Sequence, residues 1–411
     1  MHRYSFISRS IALSLGSYAQ SLLHRAYERL MPVAAMNGDL LIVQLGQIGD
    51  FVLTIRLIEA LKKKHGDSIR VSVLIDSINS NLARTCEGIE NTYVYDSEKY
   101  SRSQKRTAFP ARALSGNAFN CALWLRGDMR TFRWLVAGRV PVRSVAVFPN
   151  PMRSSWMSLI GRPGKAPVNG AGGPIGKIRI GMNKRGNGKT YPHFVNSLME
   201  SGGIDGHEVE GQALSPKAAL KDRATGERHD DRVFIHIGSG GELRRWPEER
   251  FAEVSKRLLE LDGKLSITLI GAKSDYERAG RVLARIKHPA GRVVNGCGAF
   301  EIAGLKAVFE KGSLFIGLDS GPMHIAAFAG IPVVALMGPQ SPEVFGPRSA
   351  GRERVVYKAY PCSPCWQFAC VHNTGGGAGR CISDITAEEV FIEAKSLLKG
   401  GTSIEEDTAT L

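Results

Sequence analysis

Apolar residues in this chain gather in short, nearly continuous runs, each followed by glycine or aspartate and then by a stretch with helical spacing. Residues 40–45 (LLIVQL) give way to Gly46, Gly49 and Asp50, after which Leu53, Leu57, Ile58 and Leu61 recur as far as Lys62-Lys63-Lys64. Another apolar run follows at Val71–Ile75. Continuous runs bounded by turn residues fit strands buried on both faces, and repeats of three and four fit a helix with one buried side. Strand, helix and strand in such close succession form a βαβ unit, which requires parallel pairing. Further strands are predicted at 92–95, 120–124 and 144–148.

A second series begins at 233–237 (VFIHI) and continues with strands at 265–270 (LSITLI), 292–294, 313–318 (SLFIGL) and 332–337 (PVVALM). Helices are predicted between them at 247–261, 274–287, 301–311 and 321–329. Two βα series predict an α/β protein built of two Rossmann-like, doubly wound domains that face each other across a cleft. Ligands of such sheets bind beyond the carboxyl ends of the strands. The length of 411 residues agrees with two domains, because single cores rarely grow beyond about 250–300 residues. Between the two series, 161–190 (including GRPGKAPVNGAGGPIGK) reads as a long functional loop, 191–230 as one or two helical pieces, and Lys221–Arg232 as a charged linker. The predicted divisions are an N-terminal extension at 1–36, domains at 37–225 and 226–396, and a polar tail at 397–411.

Charge sharpens this picture. Lys and Arg number 54 against 39 Asp and Glu, a net charge of +15, and the excess is local. From Met129 to Met199 no acidic residue interrupts twelve cations, and 1–36 carries Arg3, Arg9, Arg25 and Arg29 against Glu28. Patches of one sign point to an anionic partner that meets part of the surface. Nucleic acid is disfavoured, because aromatic residues do not interleave regularly with the cations.

Ile7, Ile11, Leu15, Tyr18, Leu22 and Leu30 recur at helical spacing among the four arginines, consistent either with a basic amphipathic helix on anionic lipid or with a helix packed on the body. The stretch IALSLGSYA at 11–19 is too short and too broken for an export signal, and no apolar run is long enough to span a bilayer. A cytoplasmic protein, in peripheral contact with a membrane at most, is expected. Of seven cysteines, Cys362, Cys365, Cys370 and Cys381 follow the spacing C-x2-C-x4-C-x10-C. That opens like a zinc site but lacks its second close pair, so metal binding, packed thiols and a disulfide all stay open.

The candidate chemistry lies at strand ends. Asp319-Ser320-Gly321-Pro322-Met323-His324 separates the run SLFIGL from the next helix. Amides at a helix start suit a phosphate, although Asp-Ser there also fits a plain helix cap, and His324 fits a packed side chain. After VFIHI comes Gly238-Ser239-Gly240-Gly241-Glu242-Leu243-Arg244-Arg245-Trp246-Pro247. Its small residues let a ligand reach the backbone and Arg244 or Arg245 would neutralise a pyrophosphate; otherwise the cations are merely solvated and Trp246 anchors the domain surface. Asp50 is either a helix-dipole carboxylate or a general base. The stretch Gly46-Gln47-Ile48-Gly49-Asp50 is not G-x-G-x-x-G, which disfavours a dinucleotide oxidoreductase.

In this order, LLIVQLGQIGDFVLTIRLIEALKK at 40–63, LWLRGDMRTFRWLVAGRV at 123–140, GSGGELRRWPEERFAEV at 238–254, FIGLDSGPMHIAAFAGIPVVALMGPQSP at 315–342 and CSPCWQFACVHNTGGGAGRCISDI at 362–385 resemble the ADP-heptose:lipopolysaccharide heptosyltransferases, glycosyltransferase family 9. The resemblance implies the GT-B arrangement of two Rossmann-like domains and inverting transfer of a heptose-type sugar from a nucleotide donor to an anionic glycolipid. It implies no cofactor and no metal in the chemistry. Asp50 matches the family's catalytic base. Ser239, Gly240 and Arg244 match its phosphate loop, with Arg244 standing where Lys is frequent. Asp319, Ser320, Gly321 and His324 match its donor motif, Ser replacing Thr. Asp275 aligns roughly with a ribose-binding carboxylate and Phe300 with a residue near the adenine, while Arg126 and Arg130 stand where acceptor phosphates or acidic sugars would bind, or else form surface salt bridges.

Overall fold

The computed structural model describes residues 38–95, 119–126, 142–144, 231–286, 291–349, 351–360, 362–363, 370, 372 and 377–400. The predicted extension at 1–36, the Gly/Pro-rich loop, almost all of the acid-free basic stretch and of the linker, Arg130 and Cys365 lie outside them. Contacts divide the chain into two compact units, Met1–Gln47 with Leu57–Asp205, and Ile48–Arg56 with Gly206–Leu411.

The first unit holds a parallel sheet of β1 (Gly38–Gln44), β2 (Ile69–Asp76), β3 (Ile89–Tyr95), β4 (Cys121–Arg126) and β5 (Val142–Ser144), ordered β3-β2-β1-β4-β5. Leu40, Leu41, Ile42 and Val43 of β1 are all buried, as a continuous apolar run in a central strand requires. Helix α1 (Ile48–His65) follows β1, ends on Lys62, Lys63, Lys64 and His65 where cations oppose the helix dipole, and contributes Ile48–Arg56 to the second unit. A single turn, α2 (Ser80–Ala83), precedes β3.

The second unit is built on β6 (Arg232–His236), β7 (Ser266–Ile270), β8 (Val293–Asn295), β9 (Leu314–Leu318), β10 (Val333–Met337) and β11 (Glu353–Tyr357), all parallel, in the order β11-β10-β9-β6-β7-β8. Read from its other edge this is the 3-2-1-4-5-6 order of a doubly wound sheet, whose direction of winding reverses between β6 and β9. Helices α3 (Glu248–Leu261), α4 (Tyr276–Ala284), α5 (Leu305–Glu310) and α6 (Gly321–Phe328) connect the strands. Helix α3 buries Phe251, Val254, Ser255 and Leu258, one face at a spacing of three and four. Gly330, at φ 77°, supplies the left-handed residue that ends α6.

Trp246 is not a surface anchor. It is 1% exposed, stands edge-on to Phe251 at 4.8 Å between ring centres, and donates Nε1–H to the Ile385 carbonyl at 2.9 Å. The chain closes this unit with α7 (Pro342–Phe345), α8 (Arg380–Ser383) and α9 (Ala387–Leu398). Thr386 and Glu389 start α9 with a reciprocal capping box.

Candidate active site

The site forms where the second sheet reverses its winding, at the carboxyl ends of β6 and β9, which are hydrogen-bonded neighbours. Strand β9 ends at Leu318, and Asp319 and Ser320 make the turn into α6. Opposite them, β6 ends at His236 and leads into the glycine-rich loop. Within that loop Ser239 Oγ donates to the Gly241 carbonyl at 2.8 Å and accepts from Gly241 N at 3.3 Å, so its hydroxyl shapes the backbone. A short 3-10 turn, Glu242–Arg244, then aims Arg244 at the β9 turn.

Arg244 Nη1 donates to Asp319 Oδ2 at 3.1 Å. The Asp319 side chain is 10% exposed and that of Arg244 33%. Burial raises the Asp319 carboxyl above the usual range and the charge of Asp50 pushes it further up, while Arg244 opposes both. A guanidinium is therefore held at the start of α6 by a buried carboxyl. Arg245, by contrast, makes an exposed pair with Glu242 at 3.5 Å and no other ion pair among the described residues.

Ser320 sits at the N-cap of α6 but makes no side-chain cap bond. Its hydroxyl donates backward to the Leu318 carbonyl at 2.9 Å and lies 3.2 Å from His236 Nδ1. The cap reading of the Asp-Ser pair thus fails for both residues, and the first turn of α6 keeps its amides clear of these side chains. Pro322 in that turn has no N–H to satisfy.

Two helix starts meet here, both inside the second unit. A methyl on Gly49, at the first turn of α1, would come within 2.9 Å of His324 Cδ2, and one on Gly321 within 2.8 Å of Ile48 Cγ2. Glycine at both positions brings Asp50 beside the Asp319 turn. His324 is buried and its pKa falls to about 4, through desolvation first and the Arg56 charge second. Arg56 donates to the Arg348 carbonyl at 2.9 Å and lies over the Phe328 ring.

The remaining predicted residues are more dispersed. Asp275 accepts from Ala272 N at 2.9 Å and borders the glycine loop, since a methyl on Gly238 would stand 2.6 Å from its Oδ2 and 3.1 Å from His236 Nε2. Phe300 packs near Gly296 beyond β8. The closest atom to a methyl on Gly240 would be Arg244 Nη2, at 4.0 Å. Arg126 ends β4 in the first unit, where its carbonyl accepts from Leu45 N at 2.7 Å. Cys362, Cys370 and Cys381 line a separate hollow with His372 and Tyr360, and no group of His, Cys, Asp and Glu among the described residues is arranged to hold a metal ion. No helix among the described residues is long and apolar enough to cross a membrane.

His236 was hidden from sequence reasoning. It occupies the penultimate place in an apolar run, where the only cue to its surroundings is Gly317 on the neighbouring strand.

Comparison with known proteins identifies the family. The sequence profile of glycosyltransferase family 9 (heptosyltransferase) matches residues 149–374, more than half of the chain. The chain belongs to glycosyltransferase family 9. Lipooligosaccharide heptosyltransferase 2 of Campylobacter jejuni is 30% identical over 164 residues, 39% of this chain and 49% of that protein. Lipopolysaccharide heptosyltransferase 1 of Pseudomonas aeruginosa is 28% identical over 141 residues, 34% and 37% of the two chains. The chain thus spans about half or less of the length of these curated relatives. Among solved structures, the family 9 folds of E. coli ADP-heptose lps heptosyltransferase II (17% identity, 88% of this chain and 99% of that one) and of a Veillonella parvula glycosyl transferase (20%, 90% and 99%) both superpose with a TM-score of 0.61. They establish the predicted GT-B class of fold with its two Rossmann-like domains.

Proposed function

We propose that this family 9 member is an inverting transferase that moves a heptose-type sugar from ADP-heptose to a lipopolysaccharide core or related anionic glycolipid. The observation that carries the reading is the turn after β9. Arg244 is fixed at the start of α6 by Asp319, Ser320 declines to cap the helix, and Asp50 stands close enough for its charge to act on Asp319.

The departing nucleoside diphosphate gathers negative charge. Backbone amides at the helix start and a preset guanidinium stabilise that charge without reorganising. Arg244 in place of Lys keeps the charge and adds a fork that grips phosphate oxygens in pairs. The acceptor hydroxyl attacks the anomeric carbon opposite the leaving diphosphate, the bond to that diphosphate breaks, and Asp50 takes the hydroxyl proton. Asp275 is assigned to the donor ribose and Phe300 to the base. Ser239 and Gly240 shape the phosphate loop, His324 packs under the donor turn, and Arg126 and Arg130 are assigned to the acceptor.

The acid-free basic stretch supports an acidic, membrane-borne acceptor, whose affinity should fall as salt rises. A calorimetric and thermal-shift screen of ADP-, GDP- and UDP-sugars tests the donor. A selective response to the ADP compounds is expected. Selectivity for another base would redirect the reading to a different nucleotide sugar, and no response to any would end it.

A further inference from the structure

Ser320 has one hydroxyl proton and two neighbours that want it. The Leu318 carbonyl lies 2.9 Å from its Oγ and His236 Nδ1 lies 3.2 Å away. A carbonyl can only accept, so the proton goes to Leu318 and the contact with His236 is satisfied only if Nδ1 carries the hydrogen. Burial first, and the Arg278 charge second, hold the His236 ring neutral, its pKa pushed down to about 4. A neutral imidazole carries one N–H, and with the Ser320 proton donated to the Leu318 carbonyl that N–H belongs on Nδ1.

The ring itself has little freedom. His236 is 6% exposed and stacks on Phe315 with an interplanar angle of 20°. Its strand neighbour is Gly317, where a methyl would come within 2.8 Å of the Phe315 ring and 2.9 Å of His236 Cβ. Only glycine leaves room for the two rings.

We propose that His236 is a positioning residue for the donor turn: its Nδ1–H holds the Ser320 hydroxyl in its backward orientation, which keeps that hydroxyl off the α6 amides that receive the diphosphate. Without this bond the Leu318 carbonyl alone holds the hydroxyl back, and Ser320 can turn to cap the helix, a role serine favours, where a diphosphate competes with it. The inference deepens the transferase reading and rests on it for the identity of the anion.

The test joins a structural readout to a binding one. In the full chain labelled at its histidines, nitrogen and carbon shifts report the tautomer of His236, assigned by the signal missing in His236→Asn; Nδ1–H is expected and Nε2–H would overturn the proposal. This readout needs no ligand, so it stands even if ADP fails to bind, an outcome that would instead sink the nucleotide reading. For binding, ADP is the probe. Asparagine places an amide nitrogen where Nδ1 lies, so His236→Asn should stay within about threefold of the wild-type Kd, whereas His236→Gln and His236→Phe should weaken ADP by about tenfold, the scale of one hydrogen bond. Ser320→Ala added to His236→Phe should bring the Kd back toward wild type, because the hydroxyl that competes for the amides is gone. Independent, multiplying losses, or a wild-type Kd in His236→Phe, would overturn the assignment. If the phenylalanine variant does not fold, the order of the Asn and Gln variants decides, and tighter binding by Gln would refute the proposal.

Discussion

Replacing Arg244 with alanine removes the side chain that pairs with Asp319 across 75 residues of sequence. Two consequences follow, and their sizes differ. In the free protein Asp319 loses its counter-charge while 10% exposed, but a carboxyl already raised by burial and by Asp50 can take up a proton instead of staying charged. The stability lost near neutral pH is therefore limited to about 1–3 kcal/mol, the cost of one orphaned buried group. The bound state loses a charge-assisted bond to phosphate worth about 1.5–3 kcal/mol, which raises the Kd for ADP by about ten- to 150-fold. Adding Asp319→Asn to Arg244→Ala should change the Kd little further, since Asp319 without its partner takes up a proton and carries no charge to repel the ligand. Arg244→Lys should fall between alanine and wild type, keeping the charge without the fork. Isothermal titration with ADP at low and moderate salt reads all four proteins. A folded Arg244→Ala protein with an unchanged Kd would refute the phosphate contact.

Three further outcomes are expected. Asp50→Asn should abolish transfer while leaving ADP affinity within a few-fold of wild type, and near-normal turnover would remove Asp50 from the role of base. Gly49→Ala should lower both melting temperature and turnover, because its methyl meets the buried His324 ring at 2.9 Å and overpacking of about 1–3 kcal/mol outweighs the gain of about 1 kcal/mol in helix propensity. Gly280→Ala in α4 meets nothing within 4 Å and should stabilise, so equal shifts in the two variants would contradict the packing at Gly49. Folding should weaken on acidification. His236 and His324 titrate near 6.5 when unfolded and near 4 when folded, so the unfolded state binds the extra protons between those values and stability falls with pH by about 2 kcal/mol per histidine from pH 7.5 to 5. Asp319, raised rather than lowered, works in the opposite sense, and chemical denaturation that stays flat across this window would contradict the burial of both rings.

The alternation of apolar runs and helical repeats revealed most of the fold because parallel strands buried on both faces leave an uninterrupted signature. Strand β11 lacks one: only Val356 is buried in Glu353–Tyr357, as expected at a sheet edge. Helix boundaries moved inward where a 3-10 turn precedes the helix, at Lys273–Asp275 and Ile302–Gly304. Trp246 was misread because a tryptophan beside charged residues looks peripheral, whereas its partner carbonyl at Ile385 lies 139 residues away.

The same limit governs the site. Asp319, Ser320 and Gly321 stood out because a short polar turn between a strand and a helix has a local signature. The pairing of Arg244 with Asp319 and the contact of His236 with Ser320 join segments distant in sequence that the order of the second sheet brings together, and the approach of Gly49 to His324 joins two helices farther apart still. Gly317 offered a faint clue, since glycine inside a buried strand marks a close approach.

The central claim is transfer of a heptose from a nucleotide donor. Its most direct measurement incubates the protein with ADP-heptose and a heptose-deficient lipopolysaccharide core, and follows the glycolipid by mass and the nucleotide by chromatography. The account predicts one heptose gained with inverted anomeric configuration for each ADP released, and loss of both products in Asp50→Asn. ADP release without glycolipid product, or retention of configuration, would contradict it.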